Sequence, residues 1–119
     1  MGSVLTEVVI DAVDPERQAA FWAEVLGYQR TDTYDGAVEI AGPDGGRTTL
    51  VFVPVGAAKA GKNRVHLDVN PAGCDQDEEL DRLLSLGADK VDVGQGNQTW
   101  VVLADPEGNE FCLLRTRVD

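Results

Sequence analysis

An α+β fold built from two β-α-β-β-β repeats is what this chain of 119 residues predicts. Three observations carry that expectation. A Leu-Gly helix stop stands at Leu26-Gly27 and again at Leu86-Gly87. A Pro-acid-Gly turn stands at Pro43-Asp44-Gly45 and again at Pro106-Glu107-Gly108. Each helix stop follows an amphipathic helix pattern, and each pattern follows a run of alternating strand residues. The copies lie about 60 residues apart, and similarity at a fixed offset marks a repeated structural unit. The repeats cover about 4–55 and 63–117, joined by a linker at 56–62 with the loop composition GAAKAGK. Together they make one domain, 1–119, the size of an ordinary single domain.

Val4 to Ala12 reads as a strand, because Val8, Ile10 and Ala12 alternate with Glu7, Val9 and Asp11. Asp14-Pro15-Glu16 is a helix start: an N-cap, proline at the first helical position, then an acid in the first turn. The helix runs from Pro15 to about Leu26, with Phe21, Trp22, Val25 and Leu26 as its apolar stripe. Gly27 stops it. Three strands follow, at 28–33, 37–41 and 47–55, separated by the turns Tyr34-Asp35-Gly36 and Pro43-Asp44-Gly45-Gly46. The second repeat offers a strand at 63–69, a helix at 75–86 with Leu80, Leu83 and Leu84 inward, and strands at 88–93, 98–104 and 110–116. A sheet with its helix on one side leaves the other side bare. Two such sheets give a curved, incomplete, barrel-like mixed sheet with the helices on the convex side. The hollow opposite is the natural ligand site.

Composition removes several functions. Ten Lys and Arg against 21 Asp and Glu give a formal charge of −11. Such a surface repels phosphate backbones, so nucleic acid and anionic membranes are not expected partners. No segment approaches the ~20 apolar residues of a spanning helix, and the first residues do not resemble a signal peptide. The two cysteines, Cys74 and Cys112, lack CxxC spacing, and reduced thiols suit a cytoplasmic location. His66 is the single histidine, which excludes HExxH and three-histidine zinc sites within one chain.

Several side chains stand out by placement. His66 and Asp68 lie two residues apart, hence on one strand face. With a carboxylate beside it, His66 is a candidate general acid or base. Arg64 shares that face, and Glu7 is an ionisable residue in an apolar strand. Trp100 and Phe52 are candidate pocket walls that stack on a flat ligand, with core packing as the alternative for both. Cys112, between Phe111 and Leu113, reads first as a small buried hydrophobe. The acids 75–79 read as the solvated start of the second helix, favoured by its dipole.

The segments DPERQAAFWAEVLGY (14–28), NRVHLDV (63–69) and VVLADPEGNEFCLL (101–114) resemble the vicinal oxygen chelate superfamily. That superfamily includes glyoxalase I, extradiol dioxygenases, and the fosfomycin- and bleomycin-resistance proteins. The likeness is nearest to its glyoxalase-like domain branch and covers almost the whole chain. In metal-dependent members, the resemblance implies four ligands from the first and last strands of the repeats. Carried over, Glu7 stands seven residues before Asp14, His66 falls on the matching second-repeat position, and Cys112 stands four residues after Gly108. The fourth position falls within 48–53, where Thr48, Thr49, Leu50, Val51, Phe52 and Val53 offer no usual ligand. The complete set is therefore missing. No cofactor is assigned, and a divalent ion (Zn, Ni, Mn or Fe) is the one candidate, with Glu7, His66 and Cys112 as its potential ligands.

The reading preferred from the sequence is a metal-independent binding protein that sequesters or carries a small apolar or aromatic metabolite. Its expected pocket comprises Glu7, Phe52, Arg64, His66, Asp68, Trp100 and Cys112. The alternatives are an enzyme of the lyase, isomerase or dioxygenase type with Glu7 and His66 as catalytic pair or metal ligands, and a non-catalytic interaction module. The resemblance also implies a homodimer.

Overall fold

Two aspartates set where the helices begin in the computed structural model, which describes residues 1–43 and 48–119. The Asp14 side chain accepts the Arg17 N–H at 3.1 Å, Pro15 takes the first helical position, and α1 runs over Pro15–Leu26. The Asp75 side chain accepts the Glu78 N–H at 2.9 Å and opens α2, Gln76–Leu86. Gly27 and Gly87 end them in the left-handed conformation. Both helices therefore stand where capping chemistry puts them.

The chain divides into two compact units, Met1–Ala58 and Lys59–Asp119. The first contains β1 (Glu7–Ala12), α1, β2 (Gln29–Tyr34), β3 (Ala37–Ala41) and β4 (Thr49–Pro54), in the sheet order β1-β4-β3-β2. The second contains β5 (Leu67–Val69), α2, β6 (Asp89–Lys90), β7 (Val101–Ala104) and β8 (Glu110–Leu113), in the order β5-β8-β7-β6. In each, the first and last strands pair in parallel and the remaining neighbours are antiparallel. The expected β-α-β-β-β plan is thus present twice.

In the first unit, alternation separates the two faces of the sheet, although Val51 is buried on the second face too. Val8, Ile10, Val38, Ile40, Leu50 and Phe52 fall on one face by register. Val38, Ile40, Leu50 and Phe52 are buried there, and α1, lying along β3 and β4, buries Phe21, Trp22 and Val25. Phe21 and Trp22 meet edge-on, with ring centroids 5.3 Å apart. Asp35 and Gly36 both have positive φ, 50° and 81°, and join Tyr34 to its partner Ala37. That is the backbone of a two-residue hairpin whose twist matches the strands, and glycine adopts it without steric cost. The expected turn at Asp44, Gly45 and Gly46, and Arg47 of the expected strand start, lie outside the described residues.

The second unit buries Leu83, Leu103, Phe111 and Leu113. Its strands are shorter than the sequence alternation suggests, because polar side chains take over backbone groups at their ends. The Asn63 N–H binds the Glu110 carboxylate at 3.1 Å, so the expected strand at 63–69 forms only from Leu67. Asp92 accepts the Gly94 N–H, and Gln95 accepts the Val93 N–H, which divert the chain after β6 instead of extending it to Val93. The Gln76 amide donates to the Thr99 carbonyl, and β7 begins at Val101, not Gln98. The Asn70 amide holds the Thr116 carbonyl, and β8 ends at Leu113. In the first unit, β1 likewise starts at Glu7 and not Val4.

The turn before β8 is built around a buried carboxylate. Asp105 accepts the backbone N–H groups of Glu107 and Asn109 and the side-chain amide of Asn109, at 2.9–3.1 Å. Its own carbonyl takes the Gly108 N–H. The DPEGN segment therefore fixes where β8 starts, and with it the side chains β8 presents.

Candidate functional site

In β8 the side chains of Phe111 and Leu113 point into the core, so Glu110 and Cys112 point to the opposite face. Leu114 continues that alternation. In β7, Val102 stands beside Cys112, and Trp100 is two residues earlier on the same face. In β5, Asp68 stands beside Cys112 from the other side, and His66 is two residues earlier. These residues line a cavity of about 340 Å³, closed at its margins by Lys62, Asn63, Val93 and Gln95. Every lining residue belongs to the second unit.

The cavity lining is part apolar and part polar. Val93, Trp100, Val102 and Leu114 are its apolar members, with Trp100 37% exposed. Among the polar members, His66 Nε2 lies 3.1 Å from Asp68 Oδ1, both side chains about half exposed. Cys112 is a buried free thiol. One ligand-type atom from each of His66, Asp68 and Cys112 lies within 4.8 Å of the others. Burial first, and then the Asp68 charge, pushes the Cys112 thiol above its usual range. Without a cation it therefore stays protonated at neutral pH and is a poor nucleophile.

A second polar group braces the margin. Glu110 accepts the Asn63 N–H at 3.1 Å and pairs with Lys59 at 3.2 Å, while the Asn63 amide donates to Asn109 at 3.0 Å. Burial alone would raise the Glu110 carboxyl, but the backbone N–H groups and Lys59 outweigh it and lower the pKa. Glu110 therefore stays ionised and ties the 59–63 loop to β8.

Of the side chains expected from sequence, the cavity contains His66, Asp68, Trp100 and Cys112. Arg64 is exposed and is not among the lining residues. Phe52 is fully buried in the first unit, paired with Ile10 and Val38 on the apolar face. Glu7, opposite Thr49, occupies the other face of that sheet. With Glu39 and Asp32 it adds to partial burial in raising the Tyr34 phenol. The expectation that Phe52 and Glu7 face one hollow thus meets a sheet that puts them on opposite sides. Lys62, Asn63, Val93, Gln95, Val102, Glu110 and Leu114 complete the lining and were not expected. Stepping by two from Cys112 gives Glu110 and Leu114, and from Trp100 gives Val102, so the signal for those three was present.

Comparison with known proteins agrees with the architecture. The family model described as a glyoxalase-like domain matches residues 7–114. A glyoxalase/bleomycin resistance protein/dioxygenase family enzyme from Burkholderia phytofirmans PsJN superposes with a TM-score of 0.65 at 19% identity, covering 93% of this chain and 97% of that one. The fosfomycin resistance protein FosX from Mesorhizobium loti gives 0.72 at 17% identity, covering 98% and 95%. FosX from Listeria monocytogenes, in complex with Mn(II) and sulfate, gives 0.70 at 15% identity, covering 97% and 91%. At these identities the likeness is one of fold. No curated protein matches the sequence.

Proposed function

The chain belongs to the glyoxalase-like domain family, and on that footing we propose that it binds a small planar, largely apolar molecule in the second-unit cavity. The observation that supports this most is a lining that combines an exposed Trp100 and three aliphatic side chains with hydrogen-bonding groups. A cavity of about 340 Å³ falls in the range of small-ligand sites. A flat ring gains contact area and stacking against Trp100. A hydroxyl or carbonyl on that ring finds Asp68, His66 and the Cys112 thiol in the same lining. Such a site retains and orients a metabolite without needing an ion. The repeats act as one domain in this reading. Two free thiols support a cytoplasmic setting, and the family resemblance supports a homodimer.

Catechol, salicylate, indole and 2-naphthol are suitable probes. At least one should quench tryptophan emission saturably and raise the melting temperature, as mass action requires of a native-state ligand. Trp100→Ala should abolish the quenching while the buried Trp22 still emits. No quenching and no thermal shift with any of the four would sink the proposal.

A second reading, a lyase, isomerase or dioxygenase, has its own support in the convergence of His66, Asp68 and Cys112. Mn(II), present in the FosX complex, is a hard ion that prefers oxygen and imidazole donors in octahedral array. A thiol at Cys112 does not suit it. Carboxylate, imidazole and thiolate together suit zinc, and three protein donors leave the open position of a catalytic zinc site. His66, Asp68 and Cys112 would hold such an ion, which when bound supplies Lewis-acid polarisation of a ligand oxygen. Trp100 would orient the ligand, and the aliphatic side chains would exclude water.

A further inference from the structure

We infer that the cavity selects a hydroxyaromatic carboxylate, with the carboxylate at Lys62 and a ring hydroxyl donating to Asp68 at the other end. This rests on the proposal that the cavity binds a flat molecule, and it names the chemical class of that molecule. Lys62 then acts as the residue that sets specificity, a role that neither composition nor spacing suggested for it.

Charge carries the first half of the argument. Five of the lining residues are titratable: Lys62, His66, Asp68, Glu110 and Cys112. The Cys112 thiol stays protonated, because burial and the Asp68 charge raise it. Glu110 is ionised, but Lys59 at 3.2 Å and the Asn63 N–H at 3.1 Å already meet its charge. Asp68 has His66 at 3.1 Å. Lys62 is exposed and enters none of the ion pairs among the described residues. Its charge is felt inside the cavity, where it acts on the Cys112 thiol against burial and Asp68. A chain with a formal charge of −11 repels anions at long range. An anion is therefore held here by contact with Lys62 and not by steering.

The strand register supplies the second half. An ammonium only donates hydrogen bonds and a carboxylate only accepts them, so the ligand needs an acceptor at Lys62 and a donor at Asp68. Lys62 precedes Asn63, whose N–H holds Glu110, and two residues further along β8 Cys112 stands beside Asp68. Two residues of a strand span about 7 Å. Groups on opposite positions of one ring reach across such a span. Groups on adjacent ring positions do not, and they bond to each other instead. The arrangement thus favours a para-hydroxy acid over its ortho isomer.

The test is calorimetric titration of the full chain near neutral pH with 4-hydroxybenzoate and with 4-hydroxybenzamide, which has the same shape without the charge. The acid should bind about fivefold more tightly, the upper end for an exposed ion pair, and the preference should shrink in high salt. Lys62→Met should remove the preference and Lys62→Arg should keep it. Lys90→Met deletes the same charge from β6, outside the lining, and should alter the preference less than about twofold. Salicylate and 4-methoxybenzoate, which cannot place a donor at Asp68, should each bind at least about threefold more weakly than 4-hydroxybenzoate.

An amide that binds as tightly as the acid overturns the inference. So does a preference that survives Lys62→Met, or one that Lys90→Met removes as fully. Equal binding of salicylate or 4-methoxybenzoate overturns the placement of the hydroxyl at Asp68. If catechol, indole or 2-naphthol binds and the acid has no advantage, the inference fails and the small-molecule reading stands. No response to any of these aromatics, by heat or by fluorescence, removes both.

Discussion

Phe52 and Phe111 occupy the same place in their two sheets. Each stands on the strand that closes its unit, opposite Ile10 in one and Leu67 in the other, and each is buried to within 1%. One step along the chain the likeness ends. The neighbour of Phe52 is Val53, opposite Asp11, and the neighbour of Phe111 is Cys112, opposite Asp68. On the other side, the first unit has Val51 where the second has Glu110. Continuing the parallel register puts Val9 of the first unit at the place of His66. The two faces of a strand are independent because side chains alternate. The face that packs the core is held nearly constant between the units. The face that looks away from it is apolar and acidic in one unit and carries imidazole, thiol and carboxylate in the other. In this chain, then, scaffold and chemistry are written on alternate residues of the same strands.

The sharpest way to break that comparison is to remove its shared element. Phe52→Ala and Phe111→Ala should each destabilise the protein by about 3–5 kcal/mol in urea unfolding, the usual cost of emptying a buried aromatic site. If Phe111→Ala costs less than half as much as Phe52→Ala, the second sheet is not an equivalent scaffold. The caps give a finer comparison. Asp14→Ala and Asp75→Ala should each cost about 1 kcal/mol in thermal unfolding, since each removes one carboxylate acceptor from a helix start.

The smallest expected effect belongs to Glu110, which has valine as its counterpart. Its folded-state pKa is lowered, so its contribution is present above the unfolded carboxylate value and disappears as pH falls through the folded one. Near neutral pH, Glu110→Gln should cost under about 1 kcal/mol, because the amide oxygen still accepts from Asn63. In acid the variant and the wild type should converge. Urea midpoints that remain equally far apart on the acid side would remove the assigned role.

Helix positions were legible from the sequence to within a residue, since Asp14, Pro15, Gly27, Asp75 and Gly87 act locally; Asp75, expected inside the second helix, is its N-cap. Strand existence and order of appearance were legible from alternation. Strand ends were not, because Asn63, Gln76, Asp92 and Gln95 divert the backbone through contacts that alternation does not register. The site was half legible. His66, Asp68, Trp100 and Cys112 could be picked out singly, but Asp68 joins Cys112 only through a parallel register between distant strands. Phe52 drew attention as an aromatic in a strand, a signal that core and pocket residues share.

The parallel pairing of first and last strands also has a consequence for biosynthesis. Val8 pairs with Leu50 and Leu67 with Phe111, so each sheet is sealed only by bridging roughly forty residues, an entropic cost that local hairpins escape. Neither sheet can be completed until its final strand has left the ribosome. The first can be sealed while the second is still being translated, so the cavity takes shape after the first sheet.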